Sequence, residues 1–191
     1  VYKRQKRDWI TRNRIKSIEN IKLEKVVVAV DPAVTHSKTS DSTGIIIAGR
    51  ERVDNNTYNY YILSDNTLHS SVTGWGEEVV RCYNKYLADC VIGETNNGGD
   101  LVEMNIRNYD RNIKYKSVRA SRGKAVRAEP VADLYERGFI HHVGSFLELE
   151  DQMCSWTPDA DYSPDNLDAA VWAITYLTEG GVVDWGFGYA V

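Results

Sequence analysis

Three carboxylates each stand at the end of an apolar run. Asp31 follows Val26-Val27-Val28-Ala29-Val30, Glu94 follows Cys90-Val91-Ile92-Gly93, and Asp168 opens Ala169-Ala170-Val171-Trp172-Ala173-Ile174. Acids that end buried strands or open a buried helix are able to meet in space although far apart in sequence. Carboxylates brought together repel unless positive charge lies between them, and hard divalent cations such as Mg²⁺ take oxygen ligands of this kind. Such a site offers metal-assisted phosphoryl chemistry, with two ions roughly 3.5–4 Å apart, one activating a water and the other stabilising the leaving 3′ oxygen. Asp31 is the candidate bridge between the ions, with Glu94 and Asp168 as outer ligands. Asp165, one helical turn before Asp168, and Asp41, in Asp41-Ser42-Thr43-Gly44, are accessory candidates. Plainer explanations compete: Asp31-Pro32 and Asp41 as turn residues, Asp165 as a helix N-cap, and Glu94 as half of a salt bridge.

Positioning these acids requires a particular order of elements. Residues 25–31 read as a buried strand, and 42–49 with 58–63 read as a hairpin joined by Val53-Asp54-Asn55-Asn56-Thr57, giving a three-stranded meander. From Gly74 the period changes, and Trp75, Val79, Tyr83 and Leu87 recur every four residues as on an amphipathic helix. A strand at 90–94, a glycine-rich turn, a helix to about 108, a strand at 113–118 and a helix at 122–137 stopped by Gly138 follow. A short strand at 139–143, a helix at 145–154, a proline-bearing loop and a helix at 165–179 complete the order, while 5–19 reads as a charged helix or linker. The expected fold is α/β, a mixed sheet of three antiparallel strands and then alternating helix and strand, with helices on both faces. This is the order of ribonuclease H-like domains, in which the first and fourth strands are neighbours, so Asp31 and Glu94 would lie side by side.

The length of 191 residues suits one domain with at most an appendage. No run approaches the roughly 18 apolar residues of a membrane helix, and the basic N-terminus lacks the apolar segment of a signal peptide, so neither membrane nor secretion is expected. Cys82, Cys90 and Cys154 have no CxxC spacing, which argues against a disulfide framework or a cysteine zinc site. His141-His142, side by side in a strand, point to opposite faces and cannot easily share a metal. The net charge of −4 hides an uneven distribution: residues 1–25 carry +6 and residues 107–127 carry +7. A polyanion laid along 107–127 would bring its backbone beside the acids. Arg119, Arg122, Lys124 and Arg127 are the candidate backbone contacts, and Lys124 is also placed to stabilise transition-state charge. No phosphate-binding glycine loop occurs, so no ATP site is expected.

Several segments together resemble the C-terminal nuclease domain of tailed-bacteriophage or prophage terminase large subunits. They are Val28-Ala29-Val30-Asp31-Pro32-Ala33, Asp41-Ser42-Thr43-Gly44-Ile45-Ile46, Gly93-Glu94-Thr95-Asn96-Asn97-Gly98-Gly99-Asp100, Lys124-Ala125-Val126-Arg127-Ala128, Leu149-Glu150-Asp151-Gln152-Met153 and Ser163-Pro164-Asp165-Asn166-Leu167-Asp168-Ala169. The resemblance implies a ribonuclease H-like nuclease at 25–179 that cuts concatemeric double-stranded viral DNA with two Mg²⁺ or Mn²⁺ ions during genome packaging. By the same likeness Asp31, Glu94 and Asp168 are the metal-binding catalytic acids and Asp165 an accessory. Residues 1–24 would be a basic linker from an ATPase domain of the same polypeptide, and 180–191 a C-terminal tail. The small terminase subunit and the portal protein would be partners in the host bacterial cytoplasm, and the protein would not be a structural component of the virion. Two other readings are open: a different ribonuclease H-like nuclease, such as a resolvase or transposase core, and a non-catalytic DNA-binding or motor-docking module.

Overall fold

The structure, a computed structural model, describes residues 5–32, 42–68, 74–95, 99–120 and 123–178. The apolar runs form β1 (Leu23–Asp31), β2 (Gly44–Arg52), β3 (Tyr58–Asp65) and β4 (Cys90–Glu94), and the short β5 (Tyr115–Val118) and β6 (Ile140–His142) close the two edges. The six strands lie in the order β5-β4-β1-β2-β3-β6. The first three are antiparallel as a meander requires, and β4 runs parallel to β1 with Val30 opposite Gly93. β5 is parallel to β4 and β6 to β3.

The central strands are apolar on both sides because both sides of the sheet are covered. Val28, Val30, Ile45, Ile47 and Val91 pack under α2 (Trp75–Lys85) and α3 (Gly99–Tyr109). Val27, Ala29, Ile46, Ala48 and Ile92 face the other way, into a core built with α4 (Lys124–Glu136), α5 (Leu147–Ser155) and α6 (Asp165–Thr178). Side chains alternate along a strand. Asp31 therefore continues the face of Val27 and Ala29, Glu94 continues the face of Cys90 and Ile92, and both acids turn toward α6.

α6 is buried from Asp165 through Leu177, and three contacts fix it. At its start, a Cβ placed on Gly44 would lie 2.1 Å from the Asp165 carbonyl oxygen, so only glycine lets the helix come this close to β2. Beside it, Gln152 accepts the Leu167 amide N–H at 3.1 Å and donates to Asn166 at 2.8 Å, and Asn166 in turn donates to Asp65 at 2.8 Å. At its end, Arg50 donates to the Leu177 carbonyl at 2.7 Å. The helix is pinned at both ends over the sheet.

Some expectations change. The helix expected within 5–19 is the short α1 (Arg7–Arg12), and Trp9 and Ile10 are buried in the domain core rather than strung out in a linker. In α2 the buried residues are Trp75, Gly76, Val79 and Cys82; the helix ends at Lys85, and Leu87 lies beyond it, 86% exposed and in the left-handed region at φ 49°. The four-residue spacing thus ran one step past the real helix, because spacing alone carries no stop signal. Gly138 does end α4, at φ 81°. All three cysteines are free, and no described helix is long and apolar enough to cross a membrane. Asp41, Arg122 and the C-terminal tail at 180–191 lie outside the described residues.

Candidate active site

Asp31 and Glu94 end adjacent parallel strands, and the first turn of α6 sets Asp165 and Asp168 over them. Each is held differently. Asp165 is buried and accepts a hydrogen bond from the Ser42 hydroxyl at 2.7 Å. Asp168 is 5% exposed and ion-paired with Lys124, whose ammonium also reaches the Ser163 hydroxyl at 3.0 Å. Glu94 accepts the indole N–H of Trp172 at 2.9 Å and faces the Arg127 guanidinium at 3.5 Å.

Positive charge enters this cluster from α4. Lys124 and Arg127 stand three residues apart, which places them on one face of the helix, toward α6 and β4. Their settings are unlike. Arg127 is 6% exposed and lies 4.4 Å over the Trp172 ring, so it is locked by stacking. Lys124 is held at its ammonium by Asp168 and Ser163, and its side chain is 40% exposed.

The acids are nonetheless under-compensated. Burial first, and then the charge of Asp168, pushes the Asp31 carboxyl well above its usual range; Glu94 and Asp165 add to this and Lys124 opposes it. Asp168 is pushed up by burial in the same way, against the pull of Lys124 and Arg127. Lys124 shows the reciprocal effect: burial disfavours its charge, but Asp168, Asp31 and Asp165 outweigh burial and raise it. Among the described residues, Asp168 Oδ2, although in ionic contact with Lys124, has no aligned hydrogen bond, and neither do Arg127 Nε and Nη1.

These are oxygen donors, short of positive charge, at the ends of rigid elements, and in donor chemistry they fit a hard divalent cation. Among the described residues no three His, Cys, Asp or Glu side chains form a ready-made cage for an ion. Among the described residues, the Lys124 ammonium at Asp168 and the Arg127 guanidinium at Glu94 are the cations beside these carboxylates.

Of the sequence candidates, the structure brings together Asp31, Glu94, Asp165, Asp168, Lys124 and Arg127. Arg127 is not free for a DNA backbone, because it is buried against Trp172 and Glu94. The salt bridge weighed as the plain explanation of Glu94 is present, and Arg127 makes it. Arg119 is exposed and directly follows Val118, which is paired with Glu94 across β4 and β5. Lys114 and Lys116 are exposed on the same edge, so a basic rim runs up to the acids.

Sequence reading missed four supporting residues: Ser42, Gly44, Gln152 and Trp172. Trp172 stands four residues after Asp168, so helical periodicity alone puts it on the same face. Ser42, Gly44 and Gln152 lie in segments that carry the family resemblance, but they act through close approach and hydrogen bonds to α6, which periodicity does not reveal.

The sequence profile of the terminase RNaseH-like domain matches residues 28–177. In fold, the chain is similar to the large terminase of a thermophilic bacteriophage (TM-score 0.65, 15% identity, 92% of this chain and 44% of that one). It is similar to the human cytomegalovirus terminase nuclease domain (TM-score 0.63, 15% identity, 90% of this chain and 94% of that one). It is also similar to the large terminase nuclease from thermophilic phage G20c with bound zinc (TM-score 0.56, 10% identity, 81% of this chain and 84% of that one). The chain spans under half the length of the first of these, the bacteriophage large terminase. Comparison with curated proteins gives no significant match. The matched residues run from the middle of β1 to the end of α6 and take in Asp31, Glu94, Asp165 and Asp168, and the chain belongs to the terminase RNaseH-like domain family.

Proposed function

We propose that this domain is a metal-dependent endonuclease that cuts concatemeric double-stranded viral DNA during genome packaging in the host bacterial cytoplasm. The observation that carries the reading is the convergence of Asp31, Glu94, Asp165 and Asp168 on one face of the sheet, with too little positive charge to balance them. Family membership supports it, and so does the zinc described with the phage G20c relative. Asp31, Glu94 and Asp168 would hold Mg²⁺ or Mn²⁺, and such ions, when bound, supply an activated water and neutralise charge on the leaving oxygen.

The chain's own residues set the geometry. Trp172 and Arg127 fix the Glu94 carboxylate, and Gly44 with Gln152 holds the first turn of α6 so that Asp168 stays over Asp31. Ser42 turns the Asp165 carboxylate by donating to it. Lys114, Lys116 and Arg119 line the exposed β5 edge, where a phosphate backbone would be held by charge without regard to base sequence. In a longer polypeptide the basic leading segment would connect to an ATPase domain, and the small terminase subunit and portal would be further partners. The accessory role of Asp41 and the DNA contact of Arg122 belong to the same proposal.

Supercoiled plasmid incubated with the domain and Mn²⁺ should be nicked. Asp31→Asn should lower the rate by at least about 10³-fold, as loss of charge stabilisation at a reacting phosphate does. Equal nicking by wild type and Asp31→Asn would overturn the assignment. A second reading is favoured by one observation, the ion pairing of Asp168 and Glu94 with α4: a DNA-binding module with structural acids. Salt-dependent DNA binding without cleavage, and without Mn²⁺ binding by calorimetry, would select it.

A further inference from the structure

The geometry points to Lys124 as a built-in placeholder cation, one that occupies the carboxylate cluster of the metal-free domain and must swing out for divalent ions to enter. The inference rests on the metal-dependent reading above and adds a step to it.

Three features of the chain carry it. First, the Lys124 ammonium contacts Asp168 and lies within the field of Asp31 and Asp165, so it stands where positive charge is most needed. Second, the two α4 cations differ in freedom. Arg127 is buried and stacked on Trp172, whereas the Lys124 side chain is 40% exposed and reaches the Ser163 hydroxyl. A lysine has a flexible four-carbon stem and a point charge, so it leaves without disturbing its helix, and a stacked arginine does not. Third, charge counting distinguishes the two states. Four carboxylates with Arg127 and Lys124 leave a deficit that Lys124 only partly relieves. Two divalent ions with Arg127 and a DNA phosphate reach neutrality, and keeping Lys124 in place as well would overcharge the site.

The placeholder also gives the four acids a counter-charge before divalent ions bind. A buried acid cluster without a counter-cation opposes folding. Lys124 supplies the charge during folding and gives it up to the ions. Released beside Ser163 on the exposed side of the site, the ammonium becomes available to a DNA phosphate.

Calorimetric titration of Mn²⁺ into wild type, Lys124→Met and Asp31→Asn tests the inference, together with amine labelling of wild type read by mass spectrometry. Lys124→Met should bind Mn²⁺ about tenfold more tightly, because the ion no longer displaces an ion pair. Its metal-free Tm should fall, and its rise in Tm on adding Mn²⁺ should exceed that of wild type. In wild type, labelling of Lys124 should be slow without metal and several-fold faster with Mn²⁺, a readout that survives if the variant folds poorly. Unchanged or weaker Mn²⁺ binding by Lys124→Met, with binding still lost in Asp31→Asn, would overturn the placeholder and leave the metal site standing. Labelling of Lys124 unaffected by Mn²⁺ would also overturn it. Absence of Mn²⁺ binding in wild type and Lys124→Met alike would overturn both this inference and the metal-dependent reading.

Discussion

The domain buries two clusters of charged side chains, one around Glu150 and one around Asp31, and they differ in how their charges are matched. Glu150 is 1% exposed, yet every lone pair finds a donor: Arg14 at 2.7 and 2.9 Å, Arg7 at 3.2 Å, His142 Nδ1 at 3.1 Å and the Phe146 amide at 3.1 Å. Tyr135 donates to His142 Nε2 at 2.7 Å, which leaves Nδ1–H for Glu150. Burial alone would raise the Glu150 carboxyl, but the bonds from His142, Arg14 and the Phe146 amide outweigh it and hold the group well below the usual carboxylate range. Around Asp31 the same forces end the other way, and the carboxyls of Asp31 and Asp168 are pushed up. A buried carboxylate with all its partners present is a structural staple. A set that lacks them is poised for something the chain itself does not provide.

Opposite mutational signs give the strongest test of this contrast. Glu150→Ala strands Arg14 and His142 and should cost about 3–5 kcal/mol of stability, whereas Asp31→Asn removes a disfavoured charge and should stabilise the metal-free domain by ~1 kcal/mol. Denaturant unfolding of the two variants reads both values. Destabilisation by both would erase the distinction between the clusters.

Gly44→Ala sharpens it next. The new methyl group meets the Asp165 backbone and must lift the start of α6, which should cost about 1–3 kcal/mol and weaken Mn²⁺ binding while leaving the Glu150 cluster untouched. Thermal melts with and without Mn²⁺ separate the two effects.

Acid sensitivity is the smallest effect. The folded-state pKa of Glu150 is lowered, so its contribution is complete above the ordinary glutamate value of about 4.3 and is lost as pH falls toward the depressed one. His142 is also lowered, by burial against the pull of Glu150, so its contribution is complete above about 6.5 and is lost on acidification. His142 and Glu150 make stability fall on acidification, while Asp31 and Asp168, whose carboxyls are pushed up, bind protons more readily when folded and oppose that fall. Glu150→Gln should remove the Glu150 share and flatten the loss of melting temperature below about pH 5.

Much of the α6 face was legible before the fold was known. The runs before Asp31 and Glu94 and the helix after Asp168 are long enough, and apolar enough, to fix three elements and the acids at their ends. Side-chain alternation then sends Asp31 and Glu94 to one face once β1 and β4 are known to be parallel neighbours. The N-terminal segment was harder to read. Its charge suggests a charged helix or linker, and the helix is there as α1, but Trp9 and Ile10 enter the core, and Arg7 and Arg14 close on a glutamate more than a hundred residues away. Arg127 misled for a related reason, since a basic residue among basic residues reads as surface until Trp172 and Glu94 are seen beside it.

The sequence by itself determined the order of elements and which acids end them, because periodicity and burial act over a few residues. Tertiary structure alone decided the charge balance of each cluster. Whether a carboxylate is stapled like Glu150 or left wanting like Asp31 depends on which distant donors reach it, and electrostatic energy is set by distance through space rather than along the chain.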